Sequence, residues 1–202
     1  MTRIFTTSLK AAASFVMFWV MLESCVGIVP RSSWSTVPRR REERMIPEVP
    51  FVFIHHTTAS TPNDTEGCRQ RVRSIQSYHR GQYLWDDIGY SFLVCNNGEI
   101  FEGRGWGVVG AHTMTHNRDG YGVAFIGNFM HELPSQQAID AFNNLVAEGV
   151  TRRSISSDYK LRRHSDVGRT NCPGWRLSDH TRYSNTTIMP RTYSRICLTG
   201  YC

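Results

Sequence analysis

The chain has 202 residues and a formal net charge of +6, and 40% of its residues are hydrophobic while 20% are charged. This composition excludes a disordered chain, and the length suits one domain with a substantial core. The basic balance suits an anionic partner. However, the basic residues are scattered apart from a cluster at 39–44, and no nucleic-acid-binding motif accompanies them. We therefore expect no nucleic-acid partner.

Residues 1–27 have the organisation of a secretory signal peptide. Two basic residues lead into the apolar run 11–22, and small residues follow as far as Gly27. The apolar run is too short to cross a bilayer comfortably, which argues against a retained anchor. We expect cleavage near Gly27, leaving a secreted, extracellular domain at 28–202 without stable membrane insertion.

The first predicted elements of that domain lead to a buried strand. Residues 28–34 are predicted to be extended, and the proline-rich segment 35–50 to be a surface loop. The run 49–58 is continuously apolar and rich in β-branched and aromatic residues before it turns polar. Such a run is typical of a strand buried on both faces. His55 would then lie where this strand leaves the core.

A helix and a hairpin are predicted next. Apolar residues at helical spacing predict an amphipathic helix over 68–78. The following strand is predicted at 87–95, and the Asn-Asn-Gly turn signal at 96–98 connects it to a returning strand at 99–102. The glycine-rich loop 103–110 lacks the Lys-Ser/Thr of a phosphate loop and opens no helix, which excludes nucleotide binding.

In the second half of the chain, predicted strands continue to alternate with predicted helices. A core strand is predicted at 122–129, a helix with one apolar stripe from 134 to 149, a short strand at 156–164, and a polar helical stretch after Gly174. Strands with interleaved helices and one hairpin predict an α/β domain, with a mixed central β-sheet flanked by about three helices.

Three residues at strand ends or in loops have the chemistry of a metal site. His164 and Cys172 lie eight positions apart in a loop rich in Gly, Asn and Pro. Pro173 biases Cys172 toward an extended backbone, so the loop can direct both side chains at one point. With His55 they provide the three protein ligands of a catalytic zinc ion, which keeps one position open. Unrelated histidines and cysteines in a β-rich domain remain the alternative at this point.

Five ordered motifs support the interpretation of these three residues as a zinc site. They are Ile54-His55-His56-Thr57, Asp87 to Phe92, Glu102 to Trp106 with Gly110-Ala111-His112, Gly122 to Phe129, and His164 to Gly174. In this order they resemble the peptidoglycan recognition proteins over roughly residues 28–180. The chain is similar to a short, secreted member of that family, which is related to phage-lysozyme-type N-acetylmuramoyl-L-alanine amidases. The resemblance implies bacterial peptidoglycan and its muropeptides as partners.

The resemblance also implies roles for single residues. Amidase members of the family bind Zn²⁺ and cut the bond between N-acetylmuramic acid and L-alanine, whereas other members lack the metal and only bind. The last ligand position is a cysteine in amidases and commonly a serine in receptors. The implied zinc ligands are His55, His164 and Cys172, and the implied catalytic partners are Tyr90 and Thr170. Their hydroxyl groups suit the stabilisation of an oxyanion.

Further residues match the family's ligand groove. His79, His112 and Asn117 stand at such positions, although each would be equally suited to a polar surface. His56 follows a ligand on the strand, so its side chain should point to the opposite face and have a structural role.

The positions that distinguish stem peptides depart from the family. Many members have an arginine four places after His79, followed by Gly-Trp or Asn-Phe, which discriminates the third stem residue. Here Tyr83, Leu84 and Trp85 stand there. Trp85 favours a diaminopimelate-type stem, whereas the loss of the arginine and the glycine weakens that preference. Arg169 would be an alternative partner for a substrate carboxylate.

The disulfides also depart from the family pattern, in which Cys68 would pair with the position held here by Pro62. With Cys25 in the signal peptide and Cys172 on zinc, three pairings remain for four cysteines, namely Cys68, Cys95, Cys197 and Cys202. We favour a local Cys197–Cys202 bond and expect Cys68–Cys95 beside it, since the compartment is oxidising.

Three functions follow as hypotheses. The first is a secreted zinc amidase of innate immunity. The second is a non-catalytic peptidoglycan receptor or immune effector with the same groove, and the third is a basic antimicrobial protein that acts on envelopes by charge. Sequons at Asn63 and Asn185 would permit glycosylation in that compartment.

Overall fold

The predicted mixed β-sheet is present in the computed structural model, which describes residues 27–182 and 186–188. In chain order its strands are β1 (Ile28–Val29), β2 (Val49–His56), β3 (Phe92–Val94), β4 (Ile100–Glu102), β5 (Gly120–Phe125) and β6 (Ile155–Arg163). The strands lie in the order β1-β4-β3-β5-β2-β6. Neighbouring strands are parallel except for the hairpin of β3 and β4. The fold class predicted from the sequence is therefore confirmed.

Three helices of more than one turn flank the sheet within the described ranges, and two single-turn helices accompany them. The helices are α1 (Arg31–Trp34), α2 (Thr65–Gln82), α3 (Gln136–Thr151), α4 (His164–Val167) and α5 (Trp175–Thr181). Asp64 caps α2 by accepting a hydrogen bond from the Gly67 amide at 2.8 Å, which explains why this helix begins before the predicted start at Cys68. No helix among these is long and apolar enough to cross a membrane.

The sheet separates two apolar cores. On one face, Phe142 and Leu145 of α3 pack with Val52 and Ile54 of β2. On the other face, α2 packs against β3, β4 and β5, with Val72 fully buried. Because both faces are covered, β2 is apolar from Val49 to Ile54, as the absence of alternation predicts, and only its last two residues, His55 and His56, are polar.

The sheet topology places the candidate metal ligands next to one another. β2 lies between β5 and β6 and runs parallel to both, so the carboxyl ends of the three strands meet at one edge. Ile54 of β2 pairs with Arg163 of β6. The residues that follow them, His55 and His164, therefore lie side by side at this edge of the sheet.

Some predicted boundaries were wrong. The strand predicted at 87–95 is confined to Phe92–Val94, because the Gly89 amide donates to Nδ1 of His79 instead of to a neighbouring strand. The strand predicted at 122–129 ends at Phe125. The segment predicted to be extended over 28–34 turns into α1 after two residues of strand.

The Cys68–Cys95 disulfide is present and joins α2 to the residue after β3, with 6.0 Å between the Cα atoms. The predicted signal peptide apart from Gly27, the sequon at Asn185 and the Cys197–Cys202 pair lie outside the described residues.

Candidate metal centre

Three potential ligands converge at the carboxyl edge of the sheet. The nitrogen and sulfur atoms that His55, His164 and Cys172 offer to a metal all lie within 4.8 Å of one another. Sγ of Cys172 lies 3.5 Å from Nδ1 of His55, and the His55 and His164 rings are 4.6 Å apart. His55 is 1% exposed and Cys172 is 8% exposed, so the cluster lies at the bottom of a concave surface.

The donor set fits a zinc ion. Tetrahedral zinc with usual bond lengths to nitrogen and sulfur separates two such ligands by roughly 3.6 Å, close to the 3.5 Å between Cys172 and His55. Burial lowers the pKa of His55 well below its ordinary value and also lowers the pKa of His164, so both rings are neutral and offer a lone pair. Burial raises the pKa of the Cys172 thiol to about 12, so a bound cation is what would stabilise its thiolate.

A chain of hydrogen bonds orients the His55 ring. Nε2 of His55 lies 3.2 Å from Oγ1 of Thr113, which lies 3.0 Å from Nδ1 of His112. If Nε2 of His55 donates to Thr113 and the Thr113 hydroxyl donates to Nδ1 of His112, these three atoms each have a partner, whereas Nε2 of His112 is buried without one. This arrangement leaves Nδ1 of His55 free to bind a metal, on the side that faces Cys172.

The His112 ring depends on two glycines and one asparagine. A Cβ atom at Gly122 would lie 2.2 Å from Cγ of His112, and a Cβ atom at Gly110 would lie 2.5 Å from its Cδ2. Oδ1 of Asn117 accepts hydrogen bonds from the amides of His112 and Thr113, at 2.9 and 2.8 Å. Asn117 therefore holds this turn in place and does not line the groove described below.

Tyr90 and Thr170 flank the cluster. The Tyr90 ring lies 5.4 Å from the His55 ring, and its hydroxyl group lies 3.5 Å from the carbonyl oxygen of His56. Burial and the nearby Cys172 raise the pKa of Tyr90, which keeps the phenol protonated as a hydrogen-bond donor. Oγ1 of Thr170 accepts a hydrogen bond from the Cys172 amide at 3.1 Å, so Thr170 also shapes the loop that carries the thiol.

His56 supports the cluster from the adjacent position of β2. Its amide donates to Sγ of Cys172 at 3.4 Å, while Nδ1 of its ring accepts from the Phe129 amide at 3.4 Å. His56 is therefore not one of the three clustered ligands, although its side chain lines the same groove as His55.

A groove of about 640 Å³ opens above the cluster. The residues lining it include the three ligands, His56, Tyr90, His112 and Thr170, together with one face of α2 and the segment after it. His79 and Trp85, 4.8 Å apart between ring centroids, belong to this wall, and Tyr83 stacks on Trp85 at 4.9 Å. Arg169, a predicted substrate contact, is exposed and is not among the lining residues.

Sequence reasoning missed Thr113, which supports His55, and several residues of the groove wall. No sequence pattern indicates Thr113, because its role depends on a contact with His55, which lies 58 positions away in the chain. Arg71, Ser74, Ile75 and Tyr78 line the groove with His79 from one face of α2. Their spacing of three, four and seven residues could have identified that shared face.

Comparisons with known proteins agree with this geometry. The family model described as N-acetylmuramoyl-L-alanine amidase matches residues 46–175. Peptidoglycan recognition protein 1 of Mus musculus is 39% identical over 155 residues, which cover 76% of this chain and 85% of the relative. N-acetylmuramoyl-L-alanine amidase of Homo sapiens is 38% identical over 175 residues, which cover 83% of this chain and 30% of that longer protein.

A solved structure extends the similarity to three dimensions. It is peptidoglycan recognition protein-LE in complex with tracheal cytotoxin, a monomeric diaminopimelic acid-type peptidoglycan. The two chains are 38% identical with a TM-score of 0.76, and the match covers 80% of this chain and 96% of the other. On these matches in sequence and structure, the chain belongs to the peptidoglycan recognition protein family.

Proposed function

We propose that this protein is a secreted, zinc-dependent amidase of innate immunity that binds bacterial peptidoglycan and hydrolyses the bond between N-acetylmuramic acid and L-alanine. The observation that carries the proposal is the position of Cys172, whose Sγ lies 3.5 Å from His55 and within reach of His164. A serine there would offer a weaker zinc ligand. The name of the matching family model supports the same reaction.

His55, His164 and Cys172 would hold the ion. When bound, zinc supplies a Lewis acid for the amide carbonyl and lowers the pKa of water toward neutrality. Thr113 fixes the orientation of the His55 ring, and the amide of His56 donates to the Cys172 sulfur. Both contacts hold the ligands in place before an ion arrives, which lowers the entropy lost on binding it.

Tyr90 is the donor for the developing negative charge. Its phenol stays protonated because burial raises its pKa, and its ring lies beside the His55 ring. Donation to the carbonyl oxygen of the scissile amide becomes stronger as that oxygen gains charge, which stabilises the transition state more than the substrate. Thr170 uses its oxygen to accept from the Cys172 amide, so its own proton remains available to the substrate.

The groove supplies the binding surface for a muropeptide. Its wall combines aromatic faces at Tyr83 and Trp85 with polar edges at His79 and His112. The related protein-LE structure holds a diaminopimelic acid-type muropeptide, which supports this choice of ligand class. The signal-peptide pattern of residues 1–27 and the Cys68–Cys95 disulfide support secretion, because disulfides persist in oxidising compartments.

The test combines metal analysis with product analysis. Purified protein should contain about one zinc ion per chain and should release an intact stem peptide from a muropeptide, as measured by mass spectrometry. His164→Ala and Cys172→Ser should lose both properties. His116→Ala removes a histidine outside the groove and should retain both.

Other outcomes would favour the alternatives. Muropeptide binding by a metal-free, inert wild-type protein would indicate a non-catalytic receptor. Membrane damage that persists after zinc removal and weakens strongly with salt would indicate a basic antimicrobial protein. Cleavage by Cys172→Ser at the wild-type rate would contradict the ligand assignment.

A further inference from the structure

A second cavity lies across α2 from the groove. Its volume is about 470 Å³, and it is lined by α2, by the end of α1 and by the segment that follows α1. The residues of α2 that line it are Arg73, Gln76, Ser77 and Arg80. Ser74 and Tyr78, which line the groove, lie about half a turn away from them on the helix. A ligand in this cavity would therefore leave the groove open.

The cavity is positively charged. Of the described residues that line it, only Arg40, Arg73 and Arg80 carry a formal charge. None of the three makes an ion pair within the described ranges of the chain. Arg40 belongs to the basic cluster at 39–44, so the fold places part of that cluster beside two arginines that are distant in the sequence.

The neighbouring carboxylates do not neutralise this charge. Asp87 is fully buried and accepts from Nε of Arg31 at 2.7 Å, while Nε of Arg39 lies 3.3 Å away. Asp86 does not line the cavity, and its carboxylate makes no ion pair with any residue that the structure describes. The field of the three guanidinium groups is therefore unopposed inside the cavity.

Backbone carbonyl groups hold the three side chains in place. Nε of Arg73 donates to the carbonyl oxygen of Trp34 at 2.6 Å. Nη1 of Arg80 donates to the carbonyl oxygen of Asp86, and Nη1 of Arg40 donates to a carbonyl oxygen of the segment after α2 at 3.2 Å. A carbonyl group is neutral, so these contacts fix the guanidinium groups while their charge and their other nitrogens remain for a ligand.

We propose that this cavity is a binding site for a sulfated polysaccharide, with Arg40, Arg73 and Arg80 as its cationic groups. The amide of Arg40 and Nη1 of Arg80 both donate to the carbonyl oxygen of Asp86, so these two arginines are adjacent. Arg73 precedes Arg80 on α2 by about 10 Å of axial rise. A chain with sulfate groups on successive sugars matches such a row of charges, whereas a single small anion spans only part of it.

The type of cation favours sulfate over phosphate. All three side chains are arginines, and a guanidinium group is more weakly hydrated than an ammonium group. A sulfate ester has one charge spread over three oxygens, whereas a phosphate monoester carries close to two charges and holds water more strongly. Ions that lose little hydration on contact retain more of their mutual attraction. Clusters of basic residues are also typical of heparin-binding patches.

Calorimetry with heparin-type oligosaccharides of defined length tests the proposal without reference to cleavage. The wild-type protein should bind a sulfated chain roughly tenfold more tightly than its desulfated counterpart, which keeps the sugars and the carboxylates. The affinity should fall as salt is added, since the contacts are partly exposed. Inorganic polyphosphate of similar length should bind more weakly than the sulfated chain.

Arg73→Gln should weaken binding of the sulfated chain roughly tenfold, because it removes a charge-assisted hydrogen bond. Arg69→Gln is the matched control, since it removes the same charge from α2 at a residue that contacts Glu66 and does not line the cavity. It should weaken binding by about threefold at most, because its charge is screened at that distance.

Ser77→Glu tests the same cavity without removing Arg73, whose side chain also contacts Trp34. The new carboxylate would compete with the sulfate groups for the arginines, so binding should weaken at least as much as in Arg73→Gln. Ser77→Ala removes the same hydroxyl group without adding a charge and should bind as the wild type does.

Four results would overturn the proposal. They are equal binding of the sulfated and desulfated chains, tighter binding of polyphosphate than of the sulfated chain, losses of equal size in Arg69→Gln and Arg73→Gln, and wild-type affinity in Ser77→Glu.

This site goes beyond the proposed amidase, and the two proposals fail separately, because the three arginines and Ser77 do not line the groove. A wild-type protein that prefers the sulfated chain but cleaves no muropeptide would keep this site and remove the hydrolase. A wild-type protein that cleaves muropeptides and shows no preference for sulfate would do the reverse.

Discussion

Sγ of Cys172 and Nδ1 of His55 lie 3.5 Å apart, although the two residues are 117 positions apart in the chain. The imidazole is neutral because burial among other rings lowers its pKa, whereas burial raises the pKa of the thiol to about 12. The two groups would therefore enter the proposed zinc complex in different protonation states. The imidazole would bind as it is, and the thiol would first have to lose a proton.

Zinc uptake by the zinc-free protein at pH 7 should release about one to two protons per ion. Cys172 supplies one and the zinc-bound water supplies up to one more, while His55 and His164 supply none because their pKa values are lowered. Calorimetry in buffers of different ionisation enthalpy measures the number. His116→Ala should give the same value. Release of more than two protons would mean that the histidines are charged before binding, and release of none would exclude Cys172 as a ligand.

Tyr90→Phe should lower kcat about 10²- to 10³-fold with little change in zinc content, because it removes one donor to the oxyanion. The ring and its contact with His55 would remain. Muropeptide turnover and metal analysis measure the two quantities. Tyr78→Phe is the matched control, since it removes a hydroxyl group from the exposed rim of the same groove. A kcat for Tyr90→Phe within a factor of three of wild type would contradict the assigned role.

Gly122→Ala should destabilise the protein by about 1–3 kcal/mol and weaken zinc binding by about 10- to 100-fold. The new Cβ atom would lie 2.2 Å from the buried His112 ring, which must then move and disturb the link through Thr113 to His55. Urea unfolding and competition with a chelator measure the two effects.

Gly81→Ala is the control for that substitution, since a Cβ atom at Gly81 would meet nothing within 4 Å. It lies in α2, where alanine is favoured over glycine by about 0.5–1 kcal/mol, so the variant should be slightly more stable. Unchanged stability and zinc affinity in Gly122→Ala would show that the His112 ring has room to move.

Replacing both Cys68 and Cys95 by alanine should lower the free energy of unfolding by about 3.5 kcal/mol, because the bond closes a long loop in the unfolded chain. The two residues are 27 positions apart and both are fully buried. Urea unfolding checks the value, and the wild-type protein unfolded under reducing conditions should show the same loss. A difference below about 1 kcal/mol would mean that packing alone holds α2 to the sheet.

The sequence contains enough to locate one half of the cluster. A continuous apolar run without alternation requires a strand covered on both faces, so the end of 49–58 had to lie at a sheet edge, and His55 with it. Which strand pairs with this one cannot be predicted from the sequence in the same way. Pairing of β2 with β6 is a choice among tertiary alternatives, and no local pattern specifies it.

The other candidate residues also differ in whether the sequence predicts their role or whether that role depends on tertiary contacts. His79 is expected in the groove from the family resemblance, and it lines the groove. Asn117 instead uses its side-chain oxygen to bind two backbone amides, a contact that depends on the shape of a turn. Thr113 and Gly122 matter only through the space around His112, which the linear sequence does not contain.

The parallel pairing of β2 with β6 has a consequence for biosynthesis. At about 5–20 residues per second, the ribosome needs roughly 6–23 s to proceed from His55 to Cys172. The groove wall on α2 is synthesised early in that interval, whereas the second and third ligands come only at its end. A nascent or prematurely terminated chain can thus form part of the groove wall before the ligand cluster exists, and the site of the proposed hydrolysis is complete only when β6 has docked.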